Sequence, residues 1–294
     1  MRKGITYAAG SYVLWGLLPL FWHALNGVPA TEILAHRIVW ALSATLLLTL
    51  ATGRLPALGA AMRNRRVLLT FTLSALLLTA NWYIYIWAVN AGYVVETSLG
   101  YFINPLVNVV FGVLFLRERL RPGQMAAIGV ALAGVLYLSV LYGSPPWIAI
   151  ALAVSFGCYG LLRKTATIGS LEGLTLETII AALPALAYLL FIGTSGGGAF
   201  VRAGLGTTLL LAASGIVTAV PLLLFASGAR QITMVMLGIL QYIAPTIQFI
   251  LGVTVFGETV TPQRMVGFAL VWLALAIYTL EGAVVIRQRA RAAV

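Results

Sequence analysis

Residues able to bind a solute or hold a charge are scarce in this chain, and most lie where hydrocarbon is expected. The stretch GYFINPLVNVVFGVLFLRE, residues 100–118, sets Tyr101, Asn104, Pro105, Asn108 and Gly112 into a run otherwise apolar enough for a bilayer. At about 100° per residue, Tyr101, Pro105, Asn108 and Gly112 share one helix face, with Asn104 beside them. Gln241, Pro245, Gln248 and Gly252 form a matching stripe 140 residues later. Amide side chains at membrane depth face a bundle interior or a water-filled cavity. A proline frees a carbonyl one turn earlier, which only protein or a cavity can satisfy, and glycine leaves room on the same face. One reading makes these stripes two walls of a central solute pathway, hinged at Pro105, Gly112, Pro245 and Gly252. The other makes them tightly packed helices whose amides bond across an interface for about 1 kcal/mol or less. Recurrence of the stripe favours the cavity.

The ionisable residues supply the second set of candidates. In TEILAHR, Glu32 and His36 are four apart and share a face, with Arg37 about 100° further round. An arginine at the bilayer centre costs roughly 2.5–3.5 kcal/mol on insertion scales, so Arg37 is a candidate for a substrate, gate or ion-pair role. Snorkelling to the interface is the alternative. Glu32 is expected at the water boundary, as a first-turn acid favoured by the helix dipole or as an ion-pair group. His36 is a candidate proton relay or an interhelical histidine. Glu177, in GLTLETIIAALP, falls over His36 at an offset of 141. It is a candidate proton carrier or an inner-boundary acid paired with Arg163 or Lys164. Asn81 is surrounded by Trp82, Tyr83, Tyr85 and Trp87, too densely for all to face lipid. Glu96 opens its helix as a proton or ion-pair candidate, or as a terminal acid only.

The elements that must position these groups follow from composition. Hydrophobic residues make up 61% and charged residues 9%, against roughly 25% charged in a soluble domain, and mean hydropathy is +1.02. The chain is therefore read as an integral membrane protein. All seven acids are Glu, and the single Cys158 supports no disulfide framework. Ten apolar segments approach the ~20 residues a spanning helix needs, near 4–26, 32–52, 67–90, 95–116, 124–142, 146–163, 173–193, 206–229, 233–256 and 264–286. With the N-terminus inside, 15 of the 18 Lys and Arg fall on the inner side; only Arg202 and Arg264 fall outside, and Arg37 lies within a span. Both termini are thus expected in the cytoplasm. The net charge of +11 belongs to these flanks, so no nucleic-acid partner is expected.

Residues 103–125 lie over 243–265 with Pro105/Pro245, Gly112/Gly252, Glu118/Glu258 and Pro122/Pro262 in register. Five spans per copy is odd, so the second copy enters the membrane upside down. The loops agree: RERLRP at 117–122 becomes GETVTP at 257–262, losing its arginines where it should face outward. The expected fold is all-α, ten transmembrane helices in two inverted five-helix repeats, 1–143 and 144–294. Inverted repeats are typical of secondary transporters, with the substrate near the midplane. Neither HExxH nor a Walker motif occurs, so no enzyme, metal or cofactor is expected.

PATEILAHR (29–37), NWYIYIWAVN (81–90), ETSLGYFINPLVN (96–108), FLRERL (115–120), YGLLRK (159–164), LET (176–178) and QYIAPT (241–246) together resemble the RarD branch of the EamA-type drug/metabolite transporters. The likeness runs over essentially the whole chain. It implies a bacterial inner-membrane carrier with a cavity lined by the first four helices of each half, the fifth and tenth packing outside. Relatives export amino acids and other metabolites, and the RarD name is tied to a chloramphenicol phenotype. The expected partners are a small-molecule substrate and the lipid bilayer, with a homodimer allowed. Transport by alternating access, driven by protons or an exchanged solute, is the expected function; a non-transporting membrane scaffold or a channel is the alternative.

Overall fold

The computed structural model describes residues 2–292 except 92, 144 and 258–260; for 89, 90, 94–96, 142, 264, 283, 286, 287 and 289–292 only the backbone is described. The helices are α1 (Arg2–His23), α2 (Ala30–Ala51), α3 (Leu55–Arg63), α4 (Arg65–Asn90), α5 (Val94–Leu116) and α6 (Pro122–Tyr142). There follow α7 (Trp147–Thr165), α8 (Ser170–Thr194), α9 (Leu205–Ala229), α10 (Met234–Gln241), α11 (Ile243–Thr254) and α12 (Pro262–Ala292). No strand occurs among the described residues. Ten spans are long and apolar enough to cross a bilayer, α10 and α11 together forming one of them. A helix satisfies its own backbone groups, which hydrocarbon cannot do. Boundaries follow local chemistry: Pro56 and Pro122 lie in the first turns of α3 and α6, and Gly143 ends α6 at φ 81°.

Three features depart from the sequence expectation. The segment 53–66, read from the sequence as a connection, holds a helix, α3, nine residues long and too short to span. It buries Leu58 and Ala61 against Val67, Phe71 and Leu176. The ninth span is broken at Tyr242, between α10 and α11. Pro245 has no N–H to give the carbonyl of Gln241, so the helical ladder is interrupted one turn before it. The last helix continues past 286 to Ala292.

The N-terminus of α1 and the C-terminus of α12 define one end of the bundle, called terminal below; the other end is called distal. Polar contacts show α2 and α8 antiparallel along their length. Thr31 meets Tyr188 at 2.8 Å, Thr45 meets Thr178 at 3.3 Å and Thr49 meets Thr175 at 3.0 Å. Arg54 then reaches Glu172 at 3.0 Å. Such hydroxyl pairs satisfy polar groups where water is scarce. The fifth and last spans, α6 and α12, pack mainly on each other, through Gln124–Tyr278 (3.3 Å) and Arg121–Glu281 (2.5 Å).

Contacts in one set of five spans recur in the other. α1 packs on α9 as α7 packs on α4, and α5 packs on α7 as α10–α11 pack on α1. A Cβ placed on Gly16 would lie 2.7 Å from Ile247, and one on Gly157 would lie 2.7 Å from Val107. These are the same contact at sequence offsets of 141 and 140. Tyr242 Oη donates to the Phe102 carbonyl at 3.2 Å, joining two positions 140 apart.

Candidate solute cavity

A cavity of ≈ 210 Å³ occupies the distal half of the bundle and ends near mid-depth. Helices α1, α2, α4, α5, α7, α9 and α10–α11 all contribute to its wall, so seven of the ten spans meet there, and α6 and α12 stay outside. Its polar wall groups include Arg37, Asn81, Tyr101, Asn104, Gln241 and Gln248; Trp15, Trp22, Trp82, Phe156 and Pro245 supply apolar surface.

Arg37 is the eighth residue of α2 and faces this space. Its Nε donates to Thr218 Oγ1 at 3.0 Å, and its guanidinium lies 4.7 Å from the Trp22 ring and 4.6 Å from the Trp82 ring. Cation–π contact at these distances orients the group as well as stabilising it. Tyr85 and Tyr101 pack edge to face at 6.1 Å on the same wall. Asn81 Nδ2 donates to the Leu152 carbonyl and to Ser155 Oγ, both at 2.9 Å, tying α4 to α7. Gln248 Nε2 donates to the Trp15 carbonyl at 3.2 Å.

Toward the terminal end the cavity is stopped by a plug. Phe225 is fully buried amid Tyr12, Trp15, Phe156 and Tyr159, with ring centroids 5.4–6.2 Å away. Met234 and Leu237 are fully buried in the same cluster. At an offset of 141, Trp15, Leu18 and Trp22 of the cavity wall correspond to Phe156, Tyr159 and Arg163. Tyr159 and Arg163 lie at or beyond the plug. Several buried polar atoms at or beyond it have no protein hydrogen-bond partner among the described residues, among them Tyr12 Oη, Tyr159 Oη, Asn108 Oδ1, Arg163 Nε and Glu177 Oε2; Glu32 Oε2, both His36 ring nitrogens, Trp40 Nε1 and Asn104 Oδ1 are the same on the distal side.

Several expected site residues stand elsewhere. Asn108 does not face the cavity: it is 1% exposed at the α5–α10 interface, where Nδ2 donates to Gln241 Oε1 at 2.8 Å. Here the interhelical reading of the amide stripe holds, because Gly238 lets the two helices close on each other. A Cβ at Gly238 would come 2.5 Å from the Pro105 carbonyl. His36 faces away from the cavity, stacked 4.7 Å from Phe200 and 3.8 Å from Glu32. Glu32 is not at a water boundary; it is 1% exposed and accepts the N–H groups of Ala199 and Phe200 at 2.7 and 3.2 Å. The two N–H groups of this turn need an acceptor where water is excluded, and the carboxylate supplies it.

Glu177 lies beyond the plug rather than in the cavity. Its Oε1 accepts from Ser74 at 2.5 Å and Arg163 Nη1 at 3.3 Å, both ion-pair partners being 2% exposed. Of the two partners left open by the sequence, the structure chooses Arg163, and Lys164 instead bonds the carbonyls of Ala229, the last residue of α9, and Ile232, in the link to α10. Arg163, in the last turn of α7, is thus a buried partner of Glu177 rather than a free cation. The Glu96 side chain is outside the described residues. Of the four hinge candidates, only Pro245 accompanies a helix break; α5 is continuous through Pro105 and Gly112, and α11 through Gly252. Gly112 serves close approach: a Cβ there would come 2.7 Å from Glu118 and 2.9 Å from Met234. Glu118 in turn accepts the N–H groups of Met234 and Val235 at 2.7 and 3.0 Å, capping α10. The residues sequence reasoning missed are Thr218 and Trp22, the neighbours of Arg37. The only available signal was Ser214 and Thr218, four apart in an apolar span.

A ten-span helical bundle enclosing a mid-depth cavity defines the class: a multi-pass membrane protein built around a solute-sized space. The EamA-like transporter family model matches residues 2–140. The chain is 49% identical to a protein named RarD from Streptomyces exfoliatus over 278 residues, 95% of this chain and 88% of that one. It is 44% identical to the uncharacterized transporter YojE of Bacillus subtilis strain 168, over 95% and 94% of the two chains. A solved crystal structure with 22% identity superposes with a TM-score of 0.75 over 95% of this chain and 98% of that one, which supports the fold. The chain belongs to the EamA-like transporter family, in its RarD group.

Proposed function

We propose that the chain is a secondary carrier that moves a small solute across the bacterial inner membrane by alternating access. Its two halves, 1–143 and 144–294, are read as inverted repeats that exchange conformations. The excess of Lys and Arg on the terminal side puts both termini in the cytoplasm, so the cavity faces the periplasm in this conformation. Protons or an exchanged solute supply the drive.

One observation carries this reading. At and beyond the plug that closes the terminal half lie the repeat counterparts of two cavity-wall residues: Tyr159 for Leu18 and Arg163 for Trp22. A closed half holding unpaired polar atoms is costly as a permanent core, because each buried unsatisfied group costs about 1–3 kcal/mol. The arrangement makes sense if the same atoms meet water when that half opens and the distal half closes. Arg37 with Thr218, and the Asn108–Gln241 pair at the floor, then lie between the two gates. Continuous plugging by Phe225, Leu237 and Met234 argues against an open channel.

Reciprocal thiol accessibility tests it. In a Cys158→Ser background, Leu18→Cys probes the cavity and Leu237→Cys the plug, each labelled by a membrane-impermeant maleimide from either side in proteoliposomes. Leu18→Cys should react from the distal side and Leu237→Cys from the terminal side, and conditions that raise one rate should lower the other. Rates that rise and fall together, or a Leu237→Cys that never reacts, would contradict alternating access.

A further inference from the structure

Arg37 is the only charged side chain among the described residues that line the cavity, and its neighbours determine which part of it a solute can reach. Trp22 and Trp82 lie against the guanidinium, and Nε is held by Thr218 at 3.0 Å. The four Nη hydrogens have no protein partner among the described residues. The sequence contains no Asp, and no described Glu lines the cavity or lies within 4.0 Å of Arg37. A cation withdrawn from bulk water without a counter-charge is destabilised until an anion joins it. Its exposed edge is a planar fork of parallel donors, whose spacing matches the two oxygens of a carboxylate.

We infer that the cavity selects a small organic monocarboxylate with one aromatic or branched apolar body, bound through its carboxylate to the Nη edge of Arg37. This rests on the carrier reading and narrows it. The ≈ 210 Å³ available falls below the ~300–1,000 Å³ of pockets for drug-sized ligands, so a single ring with a short acid fits better than a polycyclic drug. Trp15, Phe156 and Pro245 offer apolar surface for the body. Among the described wall residues the one charged group is Arg37, so the carboxylate is the anchor the proposal assigns. Inorganic phosphate satisfies the fork but leaves that apolar surface uncovered.

The test uses full-length protein in nanodiscs, with phenylacetate as probe and phenylacetamide, phenethylamine, phenylalanine and inorganic phosphate as controls. Phenylacetate should raise the melting temperature saturably and bind about 10- to 100-fold tighter than the amide, from the charge-assisted pair alone. Arg37→Lys keeps the charge and loses the fork, so it should weaken phenylacetate by about tenfold; Arg37→Gln should abolish the preference for the acid over the amide. Thr218→Val should weaken phenylacetate while leaving the preference intact. The comparison of acid, amide and amine in the unaltered protein decides the matter even if an Arg37 variant fails to fold. Equal or tighter binding of the amide, the amine, phenylalanine or phosphate, or no saturable response to phenylacetate, overturns the inference. The carrier reading fails separately, through loss of reciprocal labelling at Leu18→Cys and Leu237→Cys.

Discussion

The ion pair of Arg163 and Glu177 gives the sharpest prediction, because its environment changes completely if the terminal half opens. Both side chains are 2% exposed, 3.3 Å apart, and tied to Ser74 and the Ser170 carbonyl at 2.5 and 2.9 Å, with Arg163 also 5.3 Å from the Phe71 ring. Glu177→Gln keeps the shape and the acceptor for Ser74 but leaves Arg163 without a counter-charge. Removing one partner of a buried pair costs about 3–5 kcal/mol. In a water-filled half the same change costs only about 0–1 kcal/mol. The difference, roughly 2–5 kcal/mol from those two ranges, shifts the balance toward the terminal-open state by at least about 30-fold. The labelling rate of Leu237→Cys should rise accordingly until opening itself saturates. The double variant Arg163→Met, Glu177→Leu removes both charges and should return the rate to within about threefold of the parent, since apolar replacements of a buried pair are often neutral or stabilising. If Glu177→Gln leaves the rate unchanged, or the double variant behaves like the single one, the pair is not what the closed state loses on opening.

Glycine substitutions separate contact from conformation. A Cβ on Gly215 would lie 2.2 Å from the Trp40 carbonyl carbon, whereas one on Gly129 meets nothing within 4 Å. Gly215→Ala should therefore force α2 and α9 apart and cost about 1–3 kcal/mol, while Gly129→Ala should be neutral or stabilise by up to about 1 kcal/mol, both read by unfolding in detergent. Glu118→Ala removes the acceptor of two N–H groups at the start of α10 and should cost about 1–2 kcal/mol, seen as faster hydrogen exchange at Met234 and Val235. Tyr159→Phe deletes a plug hydroxyl that has no protein partner. It should stabilise the closed half by about 1–3 kcal/mol, slowing Leu237→Cys labelling and raising the melting temperature; a lower melting temperature would mean that hydroxyl is satisfied in the closed state.

The spans were legible because hydropathy and helix length are local properties, and the cavity was legible because Tyr101, Asn104, Gln241 and Gln248 are polar at a depth where polarity needs a reason. The choice of Arg163 over Lys164 as the partner of Glu177, and the settings of Glu32 and Asn108, were not. Hydropathy weighs a charge by its cost in lipid, so Arg163 near the end of α7 reads as a boundary residue. Its true surroundings come from α8 and from Ser74 and Phe71 of α4, which local sequence does not reveal. Glu32 likewise depends on a turn 167 residues away. Asn108 and Gln241 share a periodicity with the cavity wall, yet Gly238 permits a backbone approach that turns Asn108 into the interface between walls. The break at Tyr242 follows from Pro245, whereas Pro105 leaves α5 continuous, so proline alone does not say where a span will bend.

A carrier must keep its two closed arrangements within a few kcal/mol, or one of them is never populated. Under the carrier proposal, the plug would meet that requirement by opposing terms. Ring contacts around Phe225 favour closure, each by about 0.5–1.5 kcal/mol beyond burial, while the unpaired oxygens of Tyr12, Tyr159 and Asn108 oppose it. At an offset of 141, the position of Tyr159 on α7 belongs to Leu18 on α1. The two gates are therefore similar in backbone packing, as the Gly16–Ile247 and Gly157–Val107 contacts require, and different in polarity. That difference leaves the distal cavity with Arg37 as its charge and puts the Arg163–Glu177 pair in the terminal gate. Under the carrier proposal, an anion bound to Arg37 would neutralise the first charge before the second pair separates, and solute binding would be coupled to gate opening through charges on opposite sides of one plug.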